Sequence, residues 1–87
     1  MNWRDWIHQD PAIMVGKPVF RGTRLKVETV LRELGHGTDR AEILRLFPSC
    51  KSEYIEAALL FTADLIARKD EQFVQAAESN RLREEAV

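Results

Sequence analysis

The chain has 87 residues, of which 45% are hydrophobic and 31% charged, a composition typical of one small globular domain. A chain of this length is too short for most enzyme folds that enclose a substrate. Thirteen Lys and Arg against fourteen Asp and Glu give a net charge of −1, which excludes a uniformly basic nucleic-acid binder but not a local basic patch. The single cysteine excludes an internal disulfide. Because the sequence lacks a membrane-spanning run and a secretory-signal pattern, a cytoplasmic protein without membrane contact is expected.

The basic charge is gathered in one segment near the N-terminus. Residues 17–26 contain four bases and no acid: Lys17, Arg21, Arg24 and Lys26. Two short β-prone pieces, Val19–Phe20 and Leu25–Val27, flank Gly22, which can adopt the positive φ of a tight turn. The pattern predicts an irregular β-hairpin over residues 17–27 with basic side chains around its turn. A solvated structural loop is the alternative, in which Thr23 caps the turn and Arg24 pairs with Asp10 or Glu28.

The apolar spacing after the hairpin predicts three helices. The first carries one apolar stripe and ends at Gly35 or Gly37; the stripe is Val27, Val30, Leu31 and Leu34. The second begins at Thr38 or Asp39, because Asp39 and Glu42 have the spacing of a capping box. Pro48 ends it. The third is expected from about Ser52 to Arg68 or beyond.

The third helix is apolar over an unusually wide arc. Its main inward stripe is predicted to be Ile55, Ala58, Leu59, Thr62 and Ile66. So wide an arc is typical of a helix that packs on two sides, and a second copy of the chain is the simplest second partner. The predicted dimer interface is Leu60, Phe61 and Leu65. The domain is expected over residues 1–69, followed by a polar helical tail over residues 70–87.

The second and third helices, joined by residues 48–51, match the helix-turn-helix outline, in which the second helix of the pair enters the DNA major groove. Glu53 and Glu56 near the start of that helix would repel phosphates, so the basic hairpin would have to supply those contacts as a wing. The predicted DNA-binding residues are Lys17, Arg21, Thr23, Arg24, Lys26, Lys51 and Ser52. The predicted fold is a mainly helical, winged-helix-like three-helix domain with a short N-terminal β-hairpin.

The stretch from Ile7 to Ile66 contains an isoleucine and a DP pair, then GKPVFRGTR, and then the succession of a helix ending in glycine, a short helix ending in proline and a long helix. In these features it resembles the domain-of-unknown-function 433 family. The chain departs from the family pattern at Val15, which replaces the first glycine of a GG pair and implies a less contorted loop before Lys17. It also departs at Lys51, where a Ser or Thr commonly caps the long helix.

The resemblance implies a VapB-like antitoxin of the winged helix-turn-helix class, which represses its own promoter and neutralises a PIN-like ribonuclease toxin. Operator DNA, the toxin and a second copy of the chain are then the expected partners. An antitoxin commonly holds its toxin with a tail that orders on contact, and the apolar anchors of such a tail here would be Phe73, Val74 and Leu82. A dimer arm or a solvated extension of the third helix is the alternative for the tail.

The sequence shows no arrangement typical of catalysis, a cofactor or a metal. His8 and His36 have no ligand at metal-binding spacing, and Cys50 is interpreted as a small buried residue. We therefore expect no enzyme activity, no metal and no cofactor. The main alternative to DNA binding is a protein-interaction module whose basic hairpin grips an acidic partner.

Overall fold

The structure, a computed structural model, describes the backbone of residues 1–76 and the side chains of residues 1–68. Its strands are β1 (Ile7–His8) and β2 (Val19–Phe20), and its helices are α1 (Val27–Gly35), α2 (Arg40–Leu46) and α3 (Ser52–Ala76). Two short 3₁₀ turns, Trp3–Asp5 and Met14–Gly16, precede the strands. The predicted fold, a mainly helical three-helix domain with a short N-terminal β-hairpin, is confirmed.

The sheet pairs β1 with β2 in antiparallel register, with Ile7 opposite Phe20 and His8 opposite Val19. The second β-prone piece of the sequence returns on the other side of β2 but contributes only one bridge, between Val19 and Lys26. It goes no further as a strand because Lys26 is already the N-cap of α1. The sheet partner of β2 is therefore a segment that the sequence pattern did not single out.

The turn after β2 is closed by Thr23 and Gly22. The Thr23 hydroxyl donates to the Phe20 carbonyl (2.8 Å) and accepts from the Leu25 amide (3.0 Å). Gly22 has a φ of 78°, a left-handed conformation that costs glycine little. Thr23 thus has the turn-capping role that the sequence allowed for it.

The loop before Lys17 is more contorted than the sequence led us to expect. Met14, Val15 and Gly16 have successive φ values of 51°, 58° and 80°. The expectation of a less contorted path at Val15 is wrong, since the β-branched residue adopts the left-handed conformation that a glycine would favour. Two hydrogen bonds fix the turn, from the Gly16 amide to the Ile13 carbonyl (3.1 Å) and from the Lys17 amide to the Met14 carbonyl (3.2 Å).

Replacing Val15 with glycine should therefore stabilise the protein. A non-glycine residue in the left-handed conformation destabilises the fold by about 1–2 kcal/mol, and glycine removes this strain. Because glycine also gains chain entropy in the unfolded state, part of the benefit is lost, and we expect the free energy of unfolding to rise by about 0.5–1 kcal/mol. The Val15 side chain is 92% exposed, so its removal loses little packing. Urea unfolding would measure the change, and Val15→Ala, which keeps a Cβ, should gain less. If Val15→Gly is no more stable than Val15→Ala, the left-handed conformation of Val15 does not destabilise the fold.

The start of α2 and the end of α1 lie where the sequence has capping signals. The Asp39 carboxylate accepts from the Glu42 amide (2.9 Å) at the start of α2, as its spacing predicted. The Glu42 side chain pairs with Arg45 instead of returning to the Asp39 amide, so only half of the capping box forms. Gly37, with a φ of 91°, follows the end of α1.

The core lies between the sheet, α1, α2 and the first half of α3. The Phe20 ring stacks on Tyr54 with centroids 4.5 Å apart and planes 5° apart, and the Trp6 ring meets Tyr54 edge to face. The buried apolar residues are Ile7, Val19, Phe20, Val27, Val30, Ile43, Cys50, Tyr54, Ile55, Ala57 and Ala58. No helix within the described part of the chain is long and apolar enough to cross a membrane.

The inward face of α3 differs from the predicted stripe. Leu59 and Ile66 were expected inward but are 51% and 54% exposed. Ile55 and Ala58 of the predicted stripe are buried as expected. Tyr54 and Ala57 are buried with them, because the two alanines leave room for neighbouring elements to approach. Large apolar side chains are thereby left on the outer part of α3.

Candidate nucleic-acid interface

The four bases of residues 17–26 lie in different surroundings. The Lys17 ammonium is 3.0 Å from a Glu28 carboxylate oxygen, and Arg32 pairs with the other oxygen at 3.5 Å. The hydrogen bond and charge of Lys17 lower the pKa of Glu28. Lys17 is therefore compensated within the protein and is the weakest phosphate-contact candidate of the four.

Arg21 is held by neutral acceptors. Its Nε donates to the Arg4 carbonyl (3.1 Å), and its Nη1 lies 3.4 Å from His8 Nδ1. Because neither acceptor is an anion, the charge of Arg21 is not compensated there. The side chain is exposed and its direction is fixed by two separate elements.

Arg24 and Lys26 complete the basic set. In the part of the chain with described side chains, neither forms an ion pair with a carboxylate. The pairing considered for Arg24 is absent there: Glu28 binds Lys17 and Arg32, and Asp10 accepts from the Ala12 amide (2.9 Å). Arg24 is exposed, whereas Lys26 is half-buried, and its charge adds to the lowering of the pKa of Glu28.

Arg40, which the sequence did not single out, organises the start of α3. Its Nη1 donates to the Ser52 hydroxyl (2.9 Å) and carbonyl (3.1 Å), and its Nη2 pairs with Glu56. The hydrogen bond from Arg40 lowers the pKa of Glu56. One of the two acids expected to repel phosphate is thus compensated, while Lys51 and Glu53 remain exposed beside it.

The structure brings the basic turn close to the first half of α3. Arg21 directly follows Phe20, whose ring stacks on Tyr54, two residues after Ser52. The end of β2, which leads into the turn carrying Arg21 and Arg24, is therefore packed on α3 at Tyr54. Thr23 lies in the same turn, with its hydroxyl proton donated to the backbone.

The side chains predicted for a dimer contact have unequal exposure. Leu60 and Leu65 are 43% and 42% exposed, whereas Phe61 is half-buried against the Trp3 ring, with centroids 4.8 Å apart. The predicted toxin anchors lie outside the described side chains: these are Phe73, Val74 and Leu82. The backbone of α3 continues through Asp70 to Ala76.

The described side chains contain no group of three His, Cys, Asp or Glu that could hold a metal ion. Cys50 is buried, and desolvation raises the pKa of its thiol. A raised pKa keeps the sulfur protonated near neutral pH, which disfavours nucleophilic chemistry there.

A family model described as Protein of unknown function (DUF433) matches residues 7–62. This match includes β1, β2, α1, α2 and the first part of α3, and with them the basic turn. Neither a curated protein nor a solved structure matches the chain. Since the family model covers more than half of the 87 residues, the chain belongs to the DUF433 family.

Proposed function

We propose that the protein is a DNA-binding antitoxin: a homodimer that represses its own operator and neutralises a PIN-like ribonuclease toxin, without catalytic activity. The observation that carries DNA binding is the unequal pairing of the bases. Lys17, Arg32, Arg40 and Arg45 pair with carboxylates, whereas Arg21, Arg24 and Lys26 form no such pair with the described side chains.

Uncompensated cations at an exposed turn suit a phosphate backbone. An arginine or lysine that neutralises a phosphate releases condensed counterions, which favours binding without any net positive charge on the whole protein. With a net charge of −1, the chain can bind DNA only through such a local surface. Arg21 and Arg24 lie on either side of Gly22 in the turn after β2, where the wing of a winged helix would contact the DNA phosphate backbone.

The start of α3 also supports the proposal. Lys51 is exposed there, and Arg40 compensates Glu56. Glu53 stays exposed, and a glutamate at a base edge can accept from cytosine N4. In this proposal the turn supplies affinity and the start of α3 supplies sequence preference.

The dimer and toxin parts of the proposal rest on the outer half of α3 and the tail. Exposed leucines at positions 60 and 65 suit a second copy of the chain, which would read a palindromic operator with two half-sites. The sequence of the tail offers apolar anchors between charged residues, a composition typical of segments that order on a partner.

The test is the binding of duplex DNA as a function of salt. We expect the affinity to fall steeply between 50 and 200 mM salt, and Arg21→Ala or Arg24→Ala each to lower the salt slope by about one. Lys17→Ala is the matched control from the same segment: it removes the same charge but should change the slope little, since Glu28 already compensates Lys17. Fluorescence anisotropy with a labelled duplex would measure these values. Salt-independent binding, or equal effects of the three variants, would contradict the proposal and favour a protein-interaction module.

A further inference from the structure

We propose that Arg4 and Arg21 form a two-arginine site for one backbone phosphate of DNA, with His8 as the positioning residue. The inference rests on the proposed function and adds two residues to it. Neither Arg4 nor His8 belongs to the basic segment, and both are 13 or more residues from Arg21 in sequence. Only the antiparallel pairing of β1 with β2 brings them beside it.

Two acceptors on different elements fix the Arg21 guanidinium. Of its five N–H donors, one on Nε goes to the Arg4 carbonyl and one on Nη1 goes to His8. The remaining donors keep the planar fork that binds two phosphate oxygens at once. Holding this fork in place before binding removes part of the side-chain entropy that a mobile arginine would lose on contact.

The Arg4 side chain is held by Trp3. Its guanidinium carbon lies 4.4 Å from the centre of the Trp3 ring, a cation–π contact. The ring is itself fixed, because the indole N–H donates to Asp64 (2.7 Å) and the ring packs against Phe61. The carboxylate of Asp64 is thus engaged by Trp3, and no described carboxylate pairs with Arg4.

The charges then point to an anion. The Arg21 side chain ends on the backbone carbonyl of Arg4, so the Arg4 side chain starts at the residue that Arg21 contacts. Neither guanidinium forms an ion pair with a described carboxylate, and a phosphate that accepts from both groups would compensate both charges. A phosphodiester offers two charged oxygens, which matches donors arriving from two sides.

His8 acts through Arg21 and not on the phosphate. Because a guanidinium can only donate, Nδ1 of His8 is the acceptor, which places the ring proton on Nε2. Nε2 is buried and has no hydrogen-bond partner among the described residues. The ring is therefore turned into the protein and its exposed edge serves only to orient Arg21.

The affinity of variants for duplex DNA tests this site. Arg4→Ala and Arg21→Ala should each weaken binding about tenfold, and the double variant should be little worse than either, because both groups hold the same phosphate. His8→Ala should weaken binding without changing the salt slope, and His8→Gln, which keeps an acceptor, should restore part of the loss. Arg45→Ala is the control, since it removes an exposed arginine that Glu42 already compensates.

Titration with inorganic phosphate separates this inference from the proposed function. Monitored by the side-chain Nε–H resonances of a ¹⁵N-labelled protein, Arg4 and Arg21 should shift together while Arg45 does not. If duplex DNA binds and depends on Arg24 but Arg4→Ala has no effect, the two-arginine site is wrong and the proposed function stands. If phosphate moves both resonances but no duplex binds, the site stands and DNA binding fails. If the losses of DNA affinity in Arg4→Ala and Arg21→Ala add in the double variant, the two arginines do not bind the same phosphate, and the inference is wrong.

Discussion

Replacing Phe20 with alanine should lower the free energy of unfolding by about 3–5 kcal/mol, the largest effect on stability expected of any single truncation here. Phe20 is fully buried, and its ring stacks flat on Tyr54 with centroids 4.5 Å apart. Alanine would leave a cavity at the contact between β2 and α3 and would remove the aromatic pair. For a domain of this size, whose whole stability is about 5–13 kcal/mol, such a loss approaches complete unfolding.

Urea or thermal unfolding monitored by far-ultraviolet circular dichroism would measure the change. Leu46→Ala is the matched control, since it also shortens an apolar side chain but one that is 42% exposed and outside the proposed dimer interface, and it should cost less than about 1 kcal/mol. Equal losses in the two variants would mean that the Phe20–Tyr54 stack is not central to the fold. Phe20→Leu, which keeps most of the volume, should lie between them.

The elements predicted correctly from the sequence are those whose signals lie close together in the chain. The apolar stripe of α1, the Asp39 cap of α2 and the proline after it all act within one or two helical turns. β1 escaped prediction because two residues, Ile7–His8, cannot show an alternating pattern, and their partner Val19–Phe20 lies 11 or more residues away. The inward face of α3 was misjudged because Ala57 contributes little to an apolar stripe, yet its small size allows close packing.

The candidate site shows the same division between local and distant information. The sequence located the basic segment, since four bases without an acid are visible in ten consecutive residues. It could not tell which base would be compensated, because that depends on partners brought close by folding: Glu28 is 11 residues from Lys17, and Arg4 is 17 residues from Arg21. Arg4, His8 and Arg40 carry no motif and become candidates only through their contacts.

The double variant Leu65→Asp/Ile66→Asp should convert the proposed homodimer to a monomer. The two side chains are 42% and 54% exposed on the part of α3 beyond the core, so carboxylates can be tolerated there in a single chain. In an apolar contact between two copies each carboxylate would be desolvated without a partner, which costs several kcal/mol. The mass measured by light scattering should fall from twice 10.1 kDa to 10.1 kDa.

Ala12→Asp/Ala41→Asp is the control, because it adds the same two charges to exposed positions outside α3 and should leave the dimer intact. The two double variants should also differ on DNA: a monomer contacts half as many phosphates, so its salt slope should be about half that of the dimer. A double variant at Leu65 and Ile66 that keeps the wild-type mass would place the contact between copies elsewhere. If the mass halves while the salt slope stays unchanged, each chain already binds DNA alone, and α3 joins two independent binding domains.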